Sequence, residues 1–335
     1  MPFQFYRATG KMQSMRALLA AALAVATAST GAQDARFPER LVRVIVPNPP
    51  GTAGDIAARL LVERFGGAWR EPVIVENRPG AHGALGMDAV AKSKPDGHTL
   101  LYSPGVSVAT AAALMPELKI KPHAELVAVY RLMKVSSWIL VRKDLPVASL
   151  GELAAYTRTR RGGANYFTGG GGADRPYFAM TLLQKAADMR LSYVPYKGAT
   201  DAINDVANGN LDFIAITVAA SRTMVESGRL RPLAMLETAR SPLAPNVPTA
   251  AEAGFPGEYG ESWAGLFAPK GTPAAVIERI AAETAKAVAD ESFSKRMLAA
   301  YMEPLQSSPP EAAARVQKDR DHWLRVIREH GITLR

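Results

Sequence analysis

The feature that most constrains the fold is a repeated succession of a β-branched run, a loop of small residues and a helical segment. The run Leu41–Val46 precedes the loop 48–54, and a helical segment opens at Asp55. Similar strand-like runs lie at 73–75 and 99–102, with another helical segment between them. Strands that alternate with helices in this way are typical of parallel sheets covered by helices on both faces. The sequence therefore predicts an α/β fold.

A second unit of the same kind is predicted between residues 165 and 236, and no sequence repeat relates it to the first. Its strands are expected near Tyr166, Val194, Phe213 and Leu233. The extended segments 126–141 and 263–267 are predicted to connect the two units. The fold thus has two lobes.

Helix boundaries near the C-terminus carry clear capping signals. Thr272 is predicted to cap a helix that has Pro273 in its first position. The segment 308–311 has the Ser-x-x-Glu pattern of a capping box, which predicts a helix that Gly331 ends.

The first 32 residues have the pattern of a secretory leader. Its basic residues are Arg7, Lys11 and Arg16. The apolar run 17–28 follows, and it is shorter than the roughly 20 residues that span a bilayer. The small residues after which cleavage fits are Ala26, Ala28 and Ala32. We favour cleavage after Ala32. A buried N-terminal helix is the alternative to a leader, and the true start could also be Met12 or Met15.

Composition excludes several function classes. The chain has no cysteine, which excludes disulfide scaffolds, cysteine-ligated metals, cysteine nucleophiles and a lipid-modified N-terminus, so the mature protein is predicted to be soluble and exported and not a lipoprotein. Five scattered histidines without an HExxH motif give no transition-metal site. Loss of the leader lowers the formal net charge from +9 to +6, and the remaining basic residues form no cluster interleaved with aromatics. We therefore predict no cofactor, no metal and no nucleic-acid partner.

Six stretches of the chain, in order, carry a family resemblance. They are Val46–Asp55, Val75–Gly83, Pro95–Leu101, Val194–Gly198, Pro248–Gly254 and Trp263–Pro273. Together they resemble the Bug-type substrate-binding proteins of tripartite tricarboxylate transporters over essentially all of the mature chain. The loop at Asn48 and Thr52 departs from the family pattern, which has a bulky residue and a glycine there.

The resemblance implies a two-lobed periplasmic binding fold, type 2 like, with a mostly parallel sheet and flanking helices in each lobe. Lobe 1 is predicted at 37–136 and 245–335, and lobe 2 at 137–244. The implied function is capture of a small carboxylate between the lobes by a monomer that serves membrane transporter subunits. An exported sensor that delivers ligand occupancy to a membrane kinase would share this fold and remains the alternative.

An enzyme is the third class, and the motifs give it little support. The segment 260–265 has one residue too many for a G-x-S-x-G elbow, and the glycines at 169–172 lack the Lys-Ser/Thr of a P-loop. We therefore predict that the chain is not an enzyme.

The candidate ligand-binding residues follow strand ends and open helices. In the first lobe they are Asn48, Pro49, Gly51, Thr52, Ala53, Asp55 and Ser103, and in the second Thr168, Gly170, Gly171, Gly172, Ala173, Asp174, Arg175 and Thr217. A helix N-terminus offers unpaired N–H donors and about half a positive charge, so a loop of small residues there can hold a carboxylate. A plain strand-to-helix turn is the alternative for the first loop, and Thr52 can donate a hydroxyl hydrogen bond.

Three polar residues are open to more than one interpretation. Asp55 either orients the loop and ligand or caps the helix, and capping is favoured because a bare carboxylate would repel a bound one. Arg175 could clamp a ligand carboxylate while Asp174 caps the helix at Tyr177, or Asp174 could accept from the ligand. A surface ion pair between Asp174 and Arg175 is the third interpretation. With Tyr177 and Phe178 close by, we predict a ligand larger or more aromatic than small aliphatic diacids.

Overall fold

The structure, a computed structural model, describes residues 37–169, 174–196 and 198–333 and contains two sheets flanked by helices. The strands of the first sheet are β1 (Val42–Val46), β2 (Val73–Asn77), β3 (Thr99–Pro104), β4 (Leu126–Lys134), β10 (Trp263–Pro269) and β11 (Glu303–Pro304). Those of the second sheet are β5 (Ser137–Arg142), β6 (Ala164–Thr168), β7 (Leu191–Tyr193), β8 (Phe213–Thr217) and β9 (Leu230–Met235). The leader predicted at residues 1–32 lies outside the described residues.

Both sheets are mixed rather than mostly parallel. The first has the order β11-β4-β10-β3-β1-β2, in which β1 pairs in parallel with β2 and β3, whereas β10 runs antiparallel to β3 and β4. The second has the order β7-β6-β8-β5-β9, in which β6 is parallel to β7 and β8 but β5 is antiparallel to β8 and β9. The βαβ units give the parallel pairs that the sequence predicts, and the antiparallel pairs come from strands next to the crossings between sheets.

The segments predicted as connections are themselves strands. The stretch 126–141 contributes β4 to the first sheet and β5 to the second. The first crossing between the sheets therefore consists of only two residues, Val135 and Ser136. The segment 263–267 is the start of β10, a central strand. The two crossings lie side by side, because the Val135 amide donates to the Ser262 carbonyl at 3.0 Å.

The segment before β10 packs on the second sheet. Thr249 forms a parallel bridge with Met235, and Ala250 and Tyr259 are buried in the core of that sheet. Residues 249–259, which the sequence assigns to the first lobe, therefore pack with the second. This packing favours a return crossing near Ser262 over one at residue 245.

The helices lie between the strands and at the C-terminus. They are α1 (Ala53–Ala68), α2 (Ala84–Ala91), α3 (Gly105–Leu114), α4 (Pro122–Glu125), α5 (Leu150–Thr159), α6 (Arg175–Ala186), α7 (Ala199–Asn208), α8 (Val218–Glu226), α9 (Ala274–Ala289), α10 (Glu291–Ala299) and α11 (Pro309–His330). A 3-10 turn at Ala81–Gly83 precedes α2. None of the helices in the described part of the chain has the length and apolar character that crossing a membrane requires.

Capping explains where the predicted helix ends are right and where they are wrong. Ser308 accepts from the Glu311 amide and Gly331 is left-handed at φ +57°, as the capping box predicts. Pro273 is the residue before α9 rather than its first residue, because Thr272 donates to the Pro269 carbonyl instead of capping. Helix α1 continues past Gly66 and Gly67, since neither glycine adopts a positive φ that would end it.

An apolar core lies on each face of each sheet. This packing holds the sheets in place and, with them, the ends of their strands. The burial of one large apolar side chain contributes about 1.5–3 kcal/mol. A fifth cluster joins the two units, where Phe178 of α6 packs on Trp323 of α11 with ring centroids 5.3 Å apart. The two units are therefore in contact through α6 and α11 as well as through the crossings.

Candidate functional site

A cavity of about 680 Å³ has walls from both sheets and from the crossings between them. The first sheet contributes the loop after β1, the end of β3 and the segment after α10. The second sheet contributes the ends of β6 and β8 and the helices that follow them. Val135 and Ser262, at the two crossings, also line it. A volume of this size is in the range of small-molecule sites.

In the part of the chain that the structure describes, five helices begin at this cavity. The lining includes a residue in the first turn of α1, α3, α6, α7 and α8, namely Ala53, Val106, Pro176, Thr200 and Ala219. Each helix start presents unpaired backbone N–H groups and about half a positive charge. Helix starts gathered around one cavity make it favourable for an anion, and here they come from both sheets.

Thr52 holds the first loop in shape. It is the N-cap of α1, since its hydroxyl accepts from the Asp55 amide at 3.4 Å and donates to the Pro49 carbonyl at 2.9 Å. Its hydroxyl hydrogen is therefore used within the loop, although Thr52 itself lines the cavity. Pro49 is exposed and is not part of the cavity wall.

Asp55 ties the loop to the neighbouring strand. Its carboxylate accepts from the Gly51 amide at 2.9 Å, from Asn77 Nδ2 at 2.8 Å and from Arg59 Nε at 3.0 Å. Asn77 Nδ2 also donates to the Asn48 carbonyl at 3.0 Å, so both ends of the loop are anchored. Burial alone would raise the pKa of Asp55, but the donors Arg59, Gly51 and Asn77 outweigh it and hold the pKa below its usual value.

The structure supports the interpretation in which Asp55 orients the loop, and it assigns the side-chain cap of α1 to another residue. The side-chain cap of α1 is Thr52, and Asp55 stands at the third helical position with its carboxylate turned back to the loop. Asp55 therefore orients the loop. Asn77 does so as well, a role that the sequence analysis missed although Asn77 stands in one of the family-like stretches.

The backbone donors left free lie at the start of α1. The Gly51 amide is bonded to Asp55, whereas the amides of Ala53 and Gly54 have no acceptor among the described residues. Gly51 has a φ of +80°, which a residue with a side chain adopts only with strain. In this loop glycine serves the backbone conformation, and the helix start offers the donors.

Asp174 caps α6, as one interpretation of the sequence predicts. It accepts from the Tyr177 amide at 3.0 Å and from the Thr168 hydroxyl at 3.1 Å. Thr168 is completely buried, and Gly169 rather than Thr168 lines the cavity. The glycines and alanine at 170–173 lie outside the described residues, so their predicted role stays a prediction.

Arg175 is buried, and both of its Nη atoms donate hydrogen bonds to groups of the protein. Its Nη1 donates to the Leu236 and Tyr259 carbonyls, and its Nη2 donates to Glu237 at 2.6 Å. The ion pair predicted with Asp174 is thus replaced by one with Glu237. Nε has no partner among the described residues, and Arg175 lines the cavity, so a contact between Arg175 and the ligand stays a prediction.

Glu237 lies beside the crossings between the sheets. It accepts from the Ser137 amide at 3.0 Å as well as from Arg175. Burial, reinforced by the carboxylates of Glu261 and Glu303, raises the pKa of Glu237 to about 7, although Arg175 opposes the shift.

Other predicted contacts divide between wall and core. Thr217 lines the cavity, accepts from the Ala220 amide and caps α8, and Ile216 beside it also lines the cavity. Ser103 is completely buried, donates to the Pro104 carbonyl at 3.3 Å and is not in the wall. Tyr177 and Phe178 are not in the wall either, so they give no support to an aromatic ligand.

Two tyrosines in the wall were not predicted. Tyr102 lies in β3, where its neighbours gave only a strand signal. Tyr301 follows α10, has a φ of +56°, and donates through its hydroxyl to Glu226 of α8 at 3.0 Å. The Arg222 guanidinium stands 5.3 Å from the Tyr301 ring centroid. Tyr301 thus joins the two units at the cavity, and no local sequence signal marked it.

Three other residues of the family-like stretches lie away from the cavity or outside the described residues. His82 is exposed and is not in the wall. Trp263 is buried, donates to Asp319 at 2.7 Å and packs in the first sheet. Lys197 is outside the described residues. Among the described residues, no three histidine, aspartate or glutamate side chains are grouped so that they could hold a metal ion.

Comparison with known proteins gives consistent results. Residues 57–332 match the family model described as the tripartite tricarboxylate transporter family receptor. Protein BugT of Bordetella pertussis is 31% identical over 327 residues, which cover 97% of this chain and 100% of BugT. The solved structure of the periplasmic binding protein BugD has a TM-score of 0.77 and 28% identity, over 88% of this chain and 99% of BugD. Rpa4515 of R. palustris, solved with adipate, has a TM-score of 0.81 and 28% identity, over 89% of this chain and 100% of Rpa4515.

These matches confirm the predicted resemblance and the two-lobed periplasmic-binding-protein fold. The family match covers most of the chain, and the curated relative aligns over nearly the full length of both proteins. The chain belongs to the tripartite tricarboxylate transporter receptor family.

Proposed function

We propose that the chain is an extracytoplasmic solute-binding protein that captures a small organic acid in the cavity and presents it to a tripartite tricarboxylate-type transporter. The single observation that carries this proposal is the cavity at which five helices begin. Backbone N–H groups at those helix starts supply donors for carboxylate oxygens without a metal or a cofactor. The adipate in the Rpa4515 structure supports a carboxylate as the ligand class.

The same arrangement gives no support to catalysis. Among the described residues of the wall, the charged side chains are Asp174 and Arg175, and both are engaged in hydrogen bonds within the protein. A nucleophile with an adjacent base, which acyl or phosphoryl transfer needs, is not found among the described lining residues. Binding followed by unchanged release is therefore the proposed activity.

The proposed lobes correspond to the two sheets, with the ligand between them. The crossings at Val135–Ser136 and near Ser262 act as the hinge, and the lobes close on the bound acid. Small-angle scattering with and without a bound acid tests this motion, and identical dimensions would contradict it. We propose further that the exported protein is a monomer in the periplasm after removal of residues 1–32.

The decisive experiment for the function is identification of an acid that the protein already carries. The exported protein is purified under native conditions, denatured, and the released small molecules are identified by mass spectrometry. We expect a carboxylic acid at close to one molecule per chain, and the same acid should rebind in calorimetry and be recovered unchanged. A neutral molecule in its place, or conversion of the acid, would contradict the proposal.

A further inference from the structure

Tyr102 is an unusual member of the cavity wall. Its side chain is 1% exposed, and its hydroxyl is buried with no hydrogen-bond partner among the described residues. A buried hydroxyl without a partner is unfavourable, so such groups in native proteins call for an explanation. Tyr102 also lines the cavity, so a bound molecule would lie beside this residue.

A neighbouring tyrosine shows how this core satisfies a buried hydroxyl when no ligand is needed. Tyr130 of β4 is in the same apolar cluster as Tyr102 and is also fully buried. Its hydroxyl donates to Gln306 at 2.9 Å and accepts from the Ser307 amide at 3.1 Å. Tyr130 is not in the cavity wall. The two residues therefore differ in partner and in position, but not in chemistry or in burial.

The surroundings of Tyr102 are those of an anion site. A Cβ placed on Gly54 would lie 3.6 Å from Tyr102 Cε1 and 3.6 Å from Asn48 Oδ1, so the ring edge and the Asn48 amide flank the first turn of α1. The amides of Ala53 and Gly54 in that turn have no acceptor among the described residues. The Tyr102 ring edge, the Asn48 side-chain amide and the start of α1 thus lie together at one corner of the cavity.

Tyr102 is a donor in this corner. Burial raises its pKa well above the usual value, so the hydroxyl keeps its proton throughout the physiological range. The carboxylate of Asp55, which would compete as an acceptor, is occupied by Gly51, Arg59 and Asn77. An acceptor that enters the corner from the cavity would find the Tyr102 proton available.

We propose that the Tyr102 hydroxyl donates a hydrogen bond to a carboxylate oxygen of the bound acid at the first turn of α1. This inference rests on the proposed function and assigns one side chain to the recognition of the ligand. It makes Tyr102 a ligand-binding residue of the cavity wall.

The test is the pair of variants Tyr102→Phe and Tyr130→Phe, each of which removes one hydroxyl from the same core cluster. Wild type and both variants are titrated by calorimetry with adipate, malate, citrate and benzoate, and the tightest of the four is compared. Melting of the ligand-free proteins is measured in parallel. Tyr102→Phe should weaken the affinity about tenfold or more, since a hydrogen bond to a charged group is lost. Its melting temperature should equal or exceed that of wild type.

Tyr130→Phe should show the opposite pattern, with a melting temperature lower by about 2 °C or more and unchanged affinity. Unchanged affinity in Tyr102→Phe, with the wild type binding normally, overturns this inference and leaves the proposed function intact. A lower melting temperature in Tyr102→Phe together with unchanged affinity also overturns it. A wild type that binds none of the four acids and carries no acid on purification contradicts the proposed function, and this inference falls with it.

Discussion

Removal of the Asp55 carboxylate should damage both the stability of the protein and its binding site. The substitution Asp55→Ala takes an acceptor away from the Gly51 amide, from Asn77 Nδ2 and from Arg59 Nε. The loop 48–54 then keeps the Thr52 cap, the bond from the Thr52 hydroxyl to the Pro49 carbonyl and the bond from Asn77 to the Asn48 carbonyl.

The expected loss can be worked out bond by bond. Asp55 is 2% exposed, so its bonds to Gly51 and Asn77 are charge-assisted and largely sheltered from water. At about 1.5 kcal/mol each, near the lower end for such bonds, they contribute about 3 kcal/mol. The Arg59 side chain is 52% exposed, so its i,i+4 pair adds only about 0.3–0.5 kcal/mol. We expect Asp55→Ala to lower the free energy of unfolding by about 3 kcal/mol at pH 7.

The pH dependence of this loss follows from the lowered pKa of Asp55. The carboxylate is ionised in the folded protein at a lower pH than in the unfolded chain. Its contribution is therefore complete above its usual pKa and disappears as the pH falls through the lowered value. The difference in stability between wild type and Asp55→Ala should be full at pH 7 and should shrink in acid.

The assays are urea denaturation and calorimetric titration with adipate, and the control variant is Ser308→Ala. Ser308 caps α11 through the Glu311 amide and is not in the cavity wall, so its loss should cost about 1 kcal/mol and leave the affinity unchanged. Asp55→Ala should lose affinity as well, because the start of α1 is no longer held in place. If Asp55→Ala behaves like Ser308→Ala, with about 1 kcal/mol lost and unchanged affinity, then the Asp55 carboxylate does not hold the loop in place and the reasoning is refuted.

Two further predictions concern the buried pair Arg175–Glu237. Arg175→Ala leaves a buried carboxylate without its cation, so the unfolding free energy measured in urea should fall by about 3–5 kcal/mol. The exposed pair Arg240–Glu252 gives the control, since Arg240→Ala should cost under about 1 kcal/mol; equal losses would contradict the buried-pair account. Because the pKa of Glu237 is raised to about 7, the unfolded chain releases this proton at a lower pH than the folded protein. This group therefore lowers the stability of wild type as the pH rises from about 4.5 to 7. Glu237→Gln should flatten the curve of stability against pH in that window, whereas parallel curves for the two proteins would exclude the shift.

Local sequence patterns predicted the elements of the fold well. Strands β1, β3 and β8 and the long helix α11 lie where β-branched runs and capping residues predict them, because those signals act within a few residues. The crossings were predicted less accurately. An extended segment such as 126–141 has the same pattern whether it forms one strand or two strands of different sheets, and only tertiary pairing decides.

The same distinction separates the two loops of the site. The role of Asp55 depends mainly on residues close in sequence, so its two interpretations could be stated in advance. Arg175 instead meets Leu236 and Tyr259, which lie 61 and 84 residues further along the chain, and the pattern around Arg175 contains no trace of them. Tyr102 is a similar case, since its position in an apolar strand predicts burial but not an unsatisfied hydroxyl in a residue that lines the cavity.

The central claim is that helix starts in the cavity recognise a carboxylate, and a neutral isostere tests it most directly. The acid recovered from the native protein and the corresponding amide are titrated into the ligand-free protein under the same conditions. The amide keeps the size and shape of the acid but removes its charge, which the helix starts and the Tyr102 hydroxyl would bind. We expect the acid to bind one-to-one and the amide to bind at least about tenfold more weakly. Equal affinity for the two molecules would contradict carboxylate recognition in this cavity.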